Sequence, residues 1–214
     1  MDIIYLVRKV LLWAGQLKSR RKKIRMRKLN IGIDIDDTIT DTYYNLLPII
    51  AIKYNINLNK LYKKKYTYGK MHKLLPNYLE FCRENSLGVI KIVPLKKDVI
   101  KVFNKFKEDG HNIIFITARD HKEYDDPYKV CYDYLINNGV KFDKIIVDAN
   151  DKAKECLKEN IDLFIDDNTN NCLQVSSSGV PTLQYHNDFT THARNVKRVY
   201  DWNEIYNIVC QMSS

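Results

Sequence analysis

The sequence lacks the paired cysteines that build a disulfide scaffold or a structural zinc site. Its five cysteines are scattered, odd in number and form no CxxC pair, which argues against both and fits a reducing cytoplasm. It also lacks internal repeats, low-complexity tracts and any apolar run near the ~20 residues that span a bilayer. A chain of 214 residues with 45% hydrophobic and 29% charged side chains is typical of one globular domain, with room for a modest insertion.

The net charge of +9 is confined to the N-terminus. Residues 1–30 hold ten of the 35 basic residues and one of the 26 acidic residues, so the two signs balance in the rest of the chain. An enzyme that works on a nucleic-acid polymer usually carries its positive field on the domain that does the chemistry. We therefore predict no nucleic-acid polymer as partner.

Residues 1–28 are predicted to form a basic amphipathic leader. Apolar side chains recur at helical spacing over residues 3–17, and Lys and Arg cluster after them, whereas a secretory signal places its charges first. One interpretation is a helix that contacts the inner face of a membrane peripherally, through anionic lipid. The alternatives are packing on a partner or on the protein body, and an extension without function if translation begins at Met26.

From Leu29 onward, short apolar runs alternate with amphipathic stretches. The predicted strands are Leu29–Ile35, Asn112–Thr117, Lys144–Asp148, Asp162–Asp166 and Val180–Tyr185. The predicted helices between them are Leu95–Glu108, Pro127–Asn138, Asp151–Glu159 and Asn170–Ser178. Such alternation predicts a three-layer, doubly wound α/β fold, in which helices cover both faces of a parallel sheet.

One connection is too long for a simple crossover. The pattern of residues 41–91 is helical, and the short run Val89–Val93 leads back to the sheet. The candidate helices are Tyr43–Tyr54, Leu58–Lys65 and Met71–Asn85. We predict a small helical cap over 41–91, inserted into a core that comprises 29–40 and 92–214.

Paired carboxylates end two of the predicted strands. Asp34 and Asp36 follow the first strand, and Asp166 and Asp167 end the strand that starts at Asp162. If these strands are neighbours, all four acids lie at the sheet edge where ligands bind in open α/β folds. Such an oxygen-only cluster suits Mg²⁺. The alternative is that each pair only caps the helix that follows it.

Two further segments supply groups that bind phosphate. The second strand ends in Thr117, Ala118 and Arg119, where a hydroxyl and successive backbone amides can hold phosphate oxygens. Lys152 opens a helix just before the second acidic strand and can place an ammonium among the carboxylates. Each signal alone is weak, because a Thr after an apolar run is common and a Lys in a first helical turn usually faces solvent.

Taken in order, DxDxT, ITAR, the lone Lys152 and the IDD strand resemble the four motifs of the haloacid-dehalogenase-like hydrolases. The resemblance runs from about Lys28 to the C-terminus. With a helical cap after strand one, the chain is most similar to the 5′(3′)-deoxyribonucleotidase branch and its bacterial relatives; the segment from Val199 to Ile205, a strand end running into a last helix, agrees with that branch. One departure is Asp37, where the superfamily usually has Gly, and we expect it to alter how the cap meets the core.

The resemblance implies a mechanism. Asp34 attacks phosphorus to form an aspartyl-phosphate, and Asp36 protonates the leaving alcohol and then activates water. Asp34, the Asp36 backbone carbonyl and an Asp of the 166/167 pair hold Mg²⁺. Thr117, the adjacent amides of Ala118 and Arg119, and Lys152 bind the phosphoryl oxygens.

The implied activity is that of a Mg²⁺-dependent phosphomonoesterase. The expected substrate is a small phosphorylated metabolite, first a (deoxy)nucleoside monophosphate, whose base could stack on a cap tyrosine. A sugar phosphate or a membrane-linked precursor is the alternative. A third hypothesis, a domain that binds a phosphorylated ligand without catalysis, is disfavoured because it has no need of Asp36.

Overall fold

The computed structural model describes residues 27–64 and 68–214. Nearly all of the predicted leader, and with it the interpretation that residues 1–28 contact a membrane, lies outside these described residues. The strands are β1 (Asn30–Ile33), β2 (Asn112–Ile116), β3 (Lys144–Ile146), β4 (Leu163–Asp166), β5 (Thr182–Tyr185) and β6 (Lys197–Val199). The described helices are α1 (Thr42–Lys53), α2 (Leu58–Lys64), α3 (Tyr68–Leu74), α4 (Tyr78–Ile92), α5 (Val99–Glu108), α6 (Pro127–Asn137), α7 (Lys152–Lys158), α8 (Thr169–Ser177) and α9 (Trp202–Ser213).

The six strands form one parallel sheet in the order β3-β2-β1-β4-β5-β6. The chain moves outward from β1 to β3, returns past β1 to β4 and continues to β6, which is the doubly wound topology that the sequence predicts. β1 therefore lies at the centre, with Ile33 paired to Phe115 of β2 on one side and to Ile165 of β4 on the other. The carboxyl ends of β1, β2 and β4 meet at one edge.

Both faces of the sheet are buried, and alternate residues of each strand face opposite layers. In β2, Ile113 and Phe115 join the large cluster that includes Phe103 of α5 and Trp202 of α9. Their neighbours Ile114 and Ile116 join a second, smaller cluster with residues of α7 and α8. Strands buried on both faces read as continuous apolar runs, which is why the sequence reveals them.

Gly32 is the one residue of β1 whose lack of a side chain is needed for packing. A Cβ at this position would lie 3.1 Å from side-chain atoms of Ile161 and Phe164, and 3.3 Å from Ile116. These are buried residues of the smaller cluster, which have little room to move. The glycine therefore lets β1 and β4 pack closely under the acidic edge.

Helices α1 to α4 form the excursion between β1 and α5. An isolated antiparallel bridge between Thr40 and Leu95 joins the two chain segments at its base. α1 packs against α2 and α4, and its buried face joins the large core cluster through Leu47 and Ile50. We propose that this excursion is the cap that the sequence predicts over 41–91.

The predicted single helix over Met71–Asn85 is wrong. α3 ends at Leu74 and α4 begins at Tyr78, because Pro76 removes a backbone N–H and Asn77 adopts a left-handed conformation with φ of 53°. The run Val89–Val93, predicted as a separate lead into the sheet, is the last turn of α4 and its C-cap.

Within 27–64 and 68–214, the structure has no helix both long enough and apolar enough to cross a bilayer. None of the five cysteines forms a disulfide, and four of them are buried.

Gly32→Ala is expected to destabilise the protein by about 1–3 kcal/mol, because the added methyl group overpacks a well-filled site. Chemical denaturation of the two proteins measures this difference. Gly88→Ala is the matched control: a Cβ there meets nothing within 4 Å, and replacing Gly inside α4 should stabilise by about 0.5–1 kcal/mol. Equal stabilities for Gly32→Ala and the unaltered protein would contradict the packing role.

Candidate active site

Three buried carboxylates converge where β1 and β4 end. The Asp34 N–H donates to the Ile165 carbonyl at 2.9 Å, which continues the pairing of the two strands into the acidic segment. One carboxylate oxygen from each of Asp34, Asp166 and Asp167 lies within 4.8 Å of the others. The structure thus brings together three of the four predicted metal ligands; the side chain of the fourth, Asp36, points elsewhere.

Lys152 lies inside this cluster. Its Nζ donates to Asp34 Oδ1 at 2.5 Å and to Asp166 Oδ2 at 2.6 Å, and its side chain is 2% exposed. The helix that carries it is started by Asp151, whose carboxylate caps α7 by accepting from the Lys154 N–H. The first turn of α7 therefore points the ammonium at the acids and not at solvent.

The cluster holds more negative charge than one lysine can balance. Burial raises the pKa of Asp34 to about 7. Attraction to Lys152 lowers this pKa, and repulsion from Asp166 and Asp36 raises it further. Burial and the neighbouring carboxylates also hold the pKa of Asp167 well above its usual range. Three converging carboxylate oxygens fit Mg²⁺, which prefers such oxygen donors.

Thr38, the Thr of the DxDxT motif, contacts both Asp34 and Asp167 through its hydroxyl group. Its Oγ1 accepts from the Asp167 N–H at 3.0 Å and lies 3.4 Å from Asp34 Oδ2 and 3.5 Å from Asp167 Oδ1. One fully buried hydroxyl thus ties the β1 acid to the β4 acid. The motif marked this residue, but sequence reasoning gave it no role.

Amide side chains hold the β4 acids in place, and sequence reasoning missed them. Asn171 Nδ2 donates to Asp166 Oδ2 at 3.0 Å, and Asn187 Nδ2 donates to Asp167 Oδ2 at 3.1 Å. Gln184 of β5 donates to the Asp167 carbonyl at 2.9 Å. No local pattern distinguishes these residues from ordinary surface amides, because they meet the acids only through the fold.

The Asp36 carboxylate lies outside this group of three and pairs with Arg119. Arg119 Nε donates to Asp36 Oδ2 and Nη2 donates to Asp36 Oδ1, both at 2.8 Å, and Thr42 Oγ1 donates to Oδ1 at 2.7 Å. Burial alone would raise the pKa of Asp36, but the guanidinium and these hydrogen bonds hold that pKa below its usual value. Thr42 begins α1, so this carboxylate contacts both the segment that follows β2 and the excursion.

The end of β2 lies beside the acids, as predicted. Thr117 is buried, and its carbonyl and hydroxyl accept from the Ala149 N–H at 3.0 Å and the Arg119 N–H at 3.4 Å. Thr117, Ala118 and Arg119 all line the same cavity as Asp34 and Lys152. The backbone of this segment therefore lies beside the nucleophile candidate, whereas the Arg119 side chain binds Asp36.

Asp37, where the resembling superfamily has Gly, is in the left-handed region with φ of 59°. Its Oδ1 accepts from the Tyr43 N–H at 3.0 Å and so caps the first turn of α1. Asp41, which occupies the N-cap position of that helix, makes no such side-chain hydrogen bond. Burial raises the pKa of Asp37 to about 7. Asp tolerates this backbone conformation and adds a link from the acidic loop to α1 that Gly cannot make.

A cavity of about 350 Å³ opens above the acids. Its far wall comes from the excursion, with Tyr43, Leu46 and Ser86 among its residues, and from Phe189, whose ring meets that of Tyr43 edge to face with centroids 4.8 Å apart. A second cavity of about 690 Å³ lies between α4 and α6. The two share a wall made of Ile90, Glu123 and Tyr124.

The chain is 33% identical over 192 residues to a nucleotidase of Clostridium acetobutylicum, covering 86% of this chain and 95% of that protein. Among solved structures, a protein of C. acetobutylicum described as a predicted phosphatase matches with a TM-score of 0.63 at 13% identity, over 86% of this chain and 99% of that one. A haloacid-dehalogenase-superfamily hydrolase of Geobacter sulfurreducens matches with a TM-score of 0.55 at 14% identity, over 86% and 97% of the two chains. The two structures show the fold alone. No family model matches the sequence.

Mg²⁺ is expected to stabilise the protein, because it neutralises carboxylates whose pKa values burial raises. At a hundred times its Kd the gain is about 2.7 kcal/mol, or roughly 5–10 °C in Tm. The metal-free Asp34 holds its proton below about pH 7, and Mg²⁺ must displace that proton. The increase in Tm should therefore be larger at pH 8 than at pH 5.5.

Thermal denaturation with Mg²⁺ or with chelator measures this increase. Asp166→Asn should abolish it, whereas Asp125→Asn, which removes an exposed acid outside the cluster, should keep it. An increase that is equal in Asp166→Asn and in the unaltered protein would contradict a cation site at these acids.

Proposed function

We propose that this chain, which belongs to the same family as the nucleotidase of Clostridium acetobutylicum and has the fold of haloacid-dehalogenase-like hydrolases, is a Mg²⁺-dependent phosphomonoesterase for small (deoxy)nucleoside monophosphates. As a phosphatase-type hydrolase it needs a nucleophile, a proton donor and cations for the phosphoryl oxygens. The observation that carries the proposal is the Lys152 ammonium held between Asp34 and Asp166 in one buried cluster.

Asp34 is the proposed nucleophile. Its carboxylate lies at the carboxyl end of the central strand and lines the floor of the cavity. Attack of a carboxylate oxygen on phosphorus forms an aspartyl-phosphate and releases the alcohol, and water then attacks that phosphorus, which divides one difficult displacement into two. The surrounding acids repel an anionic substrate, so the site depends on cations to bring the two together.

The residues that would hold Mg²⁺ are Asp34, the Asp36 backbone carbonyl and the Asp166/Asp167 pair. The ion would supply positive charge that reduces the repulsion between the anionic nucleophile and the anionic substrate. Lys152 adds a fixed positive charge on the same side. Thr117 and the backbone amides of Ala118 and Arg119 are the proposed donors to the remaining phosphoryl oxygens.

Asp36 is the proposed acid and base. Two residues beyond the nucleophile, its side chain is about one-third exposed and lines the same cavity. It would give a proton to the oxygen of the leaving alcohol and then take one from the water that attacks the aspartyl-phosphate. Its second role makes hydrolysis, and not storage of the phosphoenzyme, the outcome.

The nucleotide assignment rests on the wall opposite the acids. A cavity of about 350 Å³ with Tyr43 and Phe189 in its lining offers an aromatic surface on which a base can stack. A second candidate is a phosphatase for a larger metabolite, such as a sugar phosphate or a membrane-linked precursor, because the adjoining cavity beyond Tyr124 gives room for a longer leaving group.

Asp34→Asn is expected to lower phosphate release by at least 10³-fold at saturating Mg²⁺, because an amide is no nucleophile toward phosphorus. Release of inorganic phosphate from nucleoside monophosphates, sugar phosphates and p-nitrophenyl phosphate, with and without Mg²⁺, measures both the activity and the preferred class. Asp125→Asn serves as the control for lost charge. Turnover retained in Asp34→Asn would refute the nucleophile, and a preference for sugar phosphates would move the substrate to the second candidate.

A further inference from the structure

The guanidinium of Arg119 contacts Asp36 and Cys131 beside the cavity. Arg119 is buried, and two of its three guanidinium nitrogens donate to the two oxygens of Asp36 in parallel at 2.8 Å. The third, Nη1, faces the sulfur of Cys131 in α6 at 3.7 Å. A guanidinium buried in this way is stable only because a carboxylate satisfies it.

The pair is asymmetric in a way that suits catalysis. The Arg119 side chain is 3% exposed, whereas that of Asp36 is 34% exposed and borders the cavity. A planar fork that meets a planar carboxylate with two parallel bonds fixes both the direction and the plane of that carboxylate. Arg119 is therefore placed as a rigid support for Asp36, whose carboxylate still lines the cavity.

Lys152 and Arg119 divide the positive charge of the site between them. Lys152 contacts the nucleophile candidate Asp34 and Asp166, and Arg119 contacts the proton-transfer candidate Asp36. The guanidinium is occupied by Asp36 on the two nitrogens that form its fork. Lys152 is thus the cation beside a phosphoryl group on Asp34, whereas Arg119 is the cation beside the proton-transfer candidate Asp36.

We propose that Arg119 is a positioning residue, which orients Asp36 for proton transfer to the leaving oxygen and does not bind the transferring phosphoryl group through its side chain. The assignment rests on the proposed function. Asp36 begins as the carboxylate that Arg119 binds, so it first takes the proton of a phosphate monoanion substrate. As the bond from Asp34 to phosphorus forms, the bond from phosphorus to the leaving oxygen breaks and that oxygen takes this proton from Asp36. Asp36 then takes a proton from the attacking water and releases it with the phosphate product, and Arg119 keeps all of its protons.

Substrates with different leaving groups can distinguish a residue that positions Asp36 from one that binds the phosphoryl group. p-Nitrophenolate is a good leaving group that needs little help from an acid, whereas the alkoxide of a nucleoside 5′-monophosphate needs a proton. A residue that acts through Asp36 should therefore matter for the nucleotide and matter little for the aryl ester. Since kcat/KM reports the steps through the first phosphoryl transfer, it isolates the leaving-group step.

The test compares Arg119→Gln and Arg119→Lys with the unaltered protein, at saturating Mg²⁺, on p-nitrophenyl phosphate and on the best nucleoside monophosphate. For Arg119→Gln we expect kcat/KM to fall about 10²–10³-fold on the nucleotide and less than tenfold on the aryl ester. The inhibition constant of inorganic phosphate should stay within about threefold. Arg119→Lys keeps the buried charge but not the fork, and should recover Tm more fully than nucleotide turnover.

Two variants calibrate the result. Lys152→Gln should lower kcat/KM on both esters and weaken inhibition by phosphate. In the Asp36→Asn background, adding Arg119→Gln should cost less than threefold more, because the two residues act as one unit.

Equal losses on both esters, with weaker phosphate inhibition, would make Arg119 a phosphate ligand and overturn the assignment. Equal losses with unchanged phosphate inhibition and a lower Tm in both variants would reduce it to a structural ion pair and overturn it too. If the unaltered protein hydrolyses neither ester, the proposed function itself fails and this assignment falls with it.

Discussion

The structure depends on one electrostatic constraint, which is the placement of Asp34, Asp166 and Asp167 around a single lysine in a buried site. Taking carboxylates out of water is unfavourable unless cations and hydrogen bonds compensate. Here Lys152 supplies one positive charge, and Thr38 with nearby amide side chains supplies hydrogen bonds. The pKa of Asp34 nevertheless rises to about 7, so this carboxyl group holds a proton below that pH and a cation that binds here must displace it.

The same constraint explains the details around the sheet edge. β1 and β4 must be neighbours for their acids to meet, and Gly32 allows the close approach of their side chains. Asp36 is separated from the cluster because Arg119 and Thr42 bind it from the other side. The site therefore has two electrostatic halves: one with Lys152 for the phosphoryl group, and one with Arg119 for the proton. Asp37 ties the loop between them to the first turn of α1.

Much of this arrangement could be predicted because it is encoded locally. Apolar runs that end in Asp identified β1 and β4, and strand pairing alone then brought Asp34 beside Asp166. Lys152 was predicted from its place in a motif, although most lysines in a first helical turn face solvent. Helix boundaries were predicted less well where two local signals compete, as at Pro76, where an amphipathic pattern continues across a residue that ends the helix. Asn171 and Asn187 could not be predicted, because their contacts with the β4 acids arise only when distant segments fold together. The Arg119 side chain could not be assigned for a related reason: its partner Asp36 lies 83 residues away along the chain.

Whether this charge cluster makes Asp34 a covalent nucleophile can be tested by trapping the phosphorylated intermediate. The protein is mixed with Mg²⁺ and p-nitrophenyl phosphate, quenched with acid within milliseconds, digested, and analysed by mass spectrometry. We expect a peptide spanning residues 29–53 that carries one phosphoryl group on Asp34. This peptide should be absent from Asp34→Asn and more abundant in Asp36→Asn, where activation of water is impaired. Two results would contradict Asp34 as the nucleophile, provided that the ester is turned over. One is a phosphoryl group on another residue, and the other is no phosphorylated peptide in either the unaltered protein or Asp36→Asn.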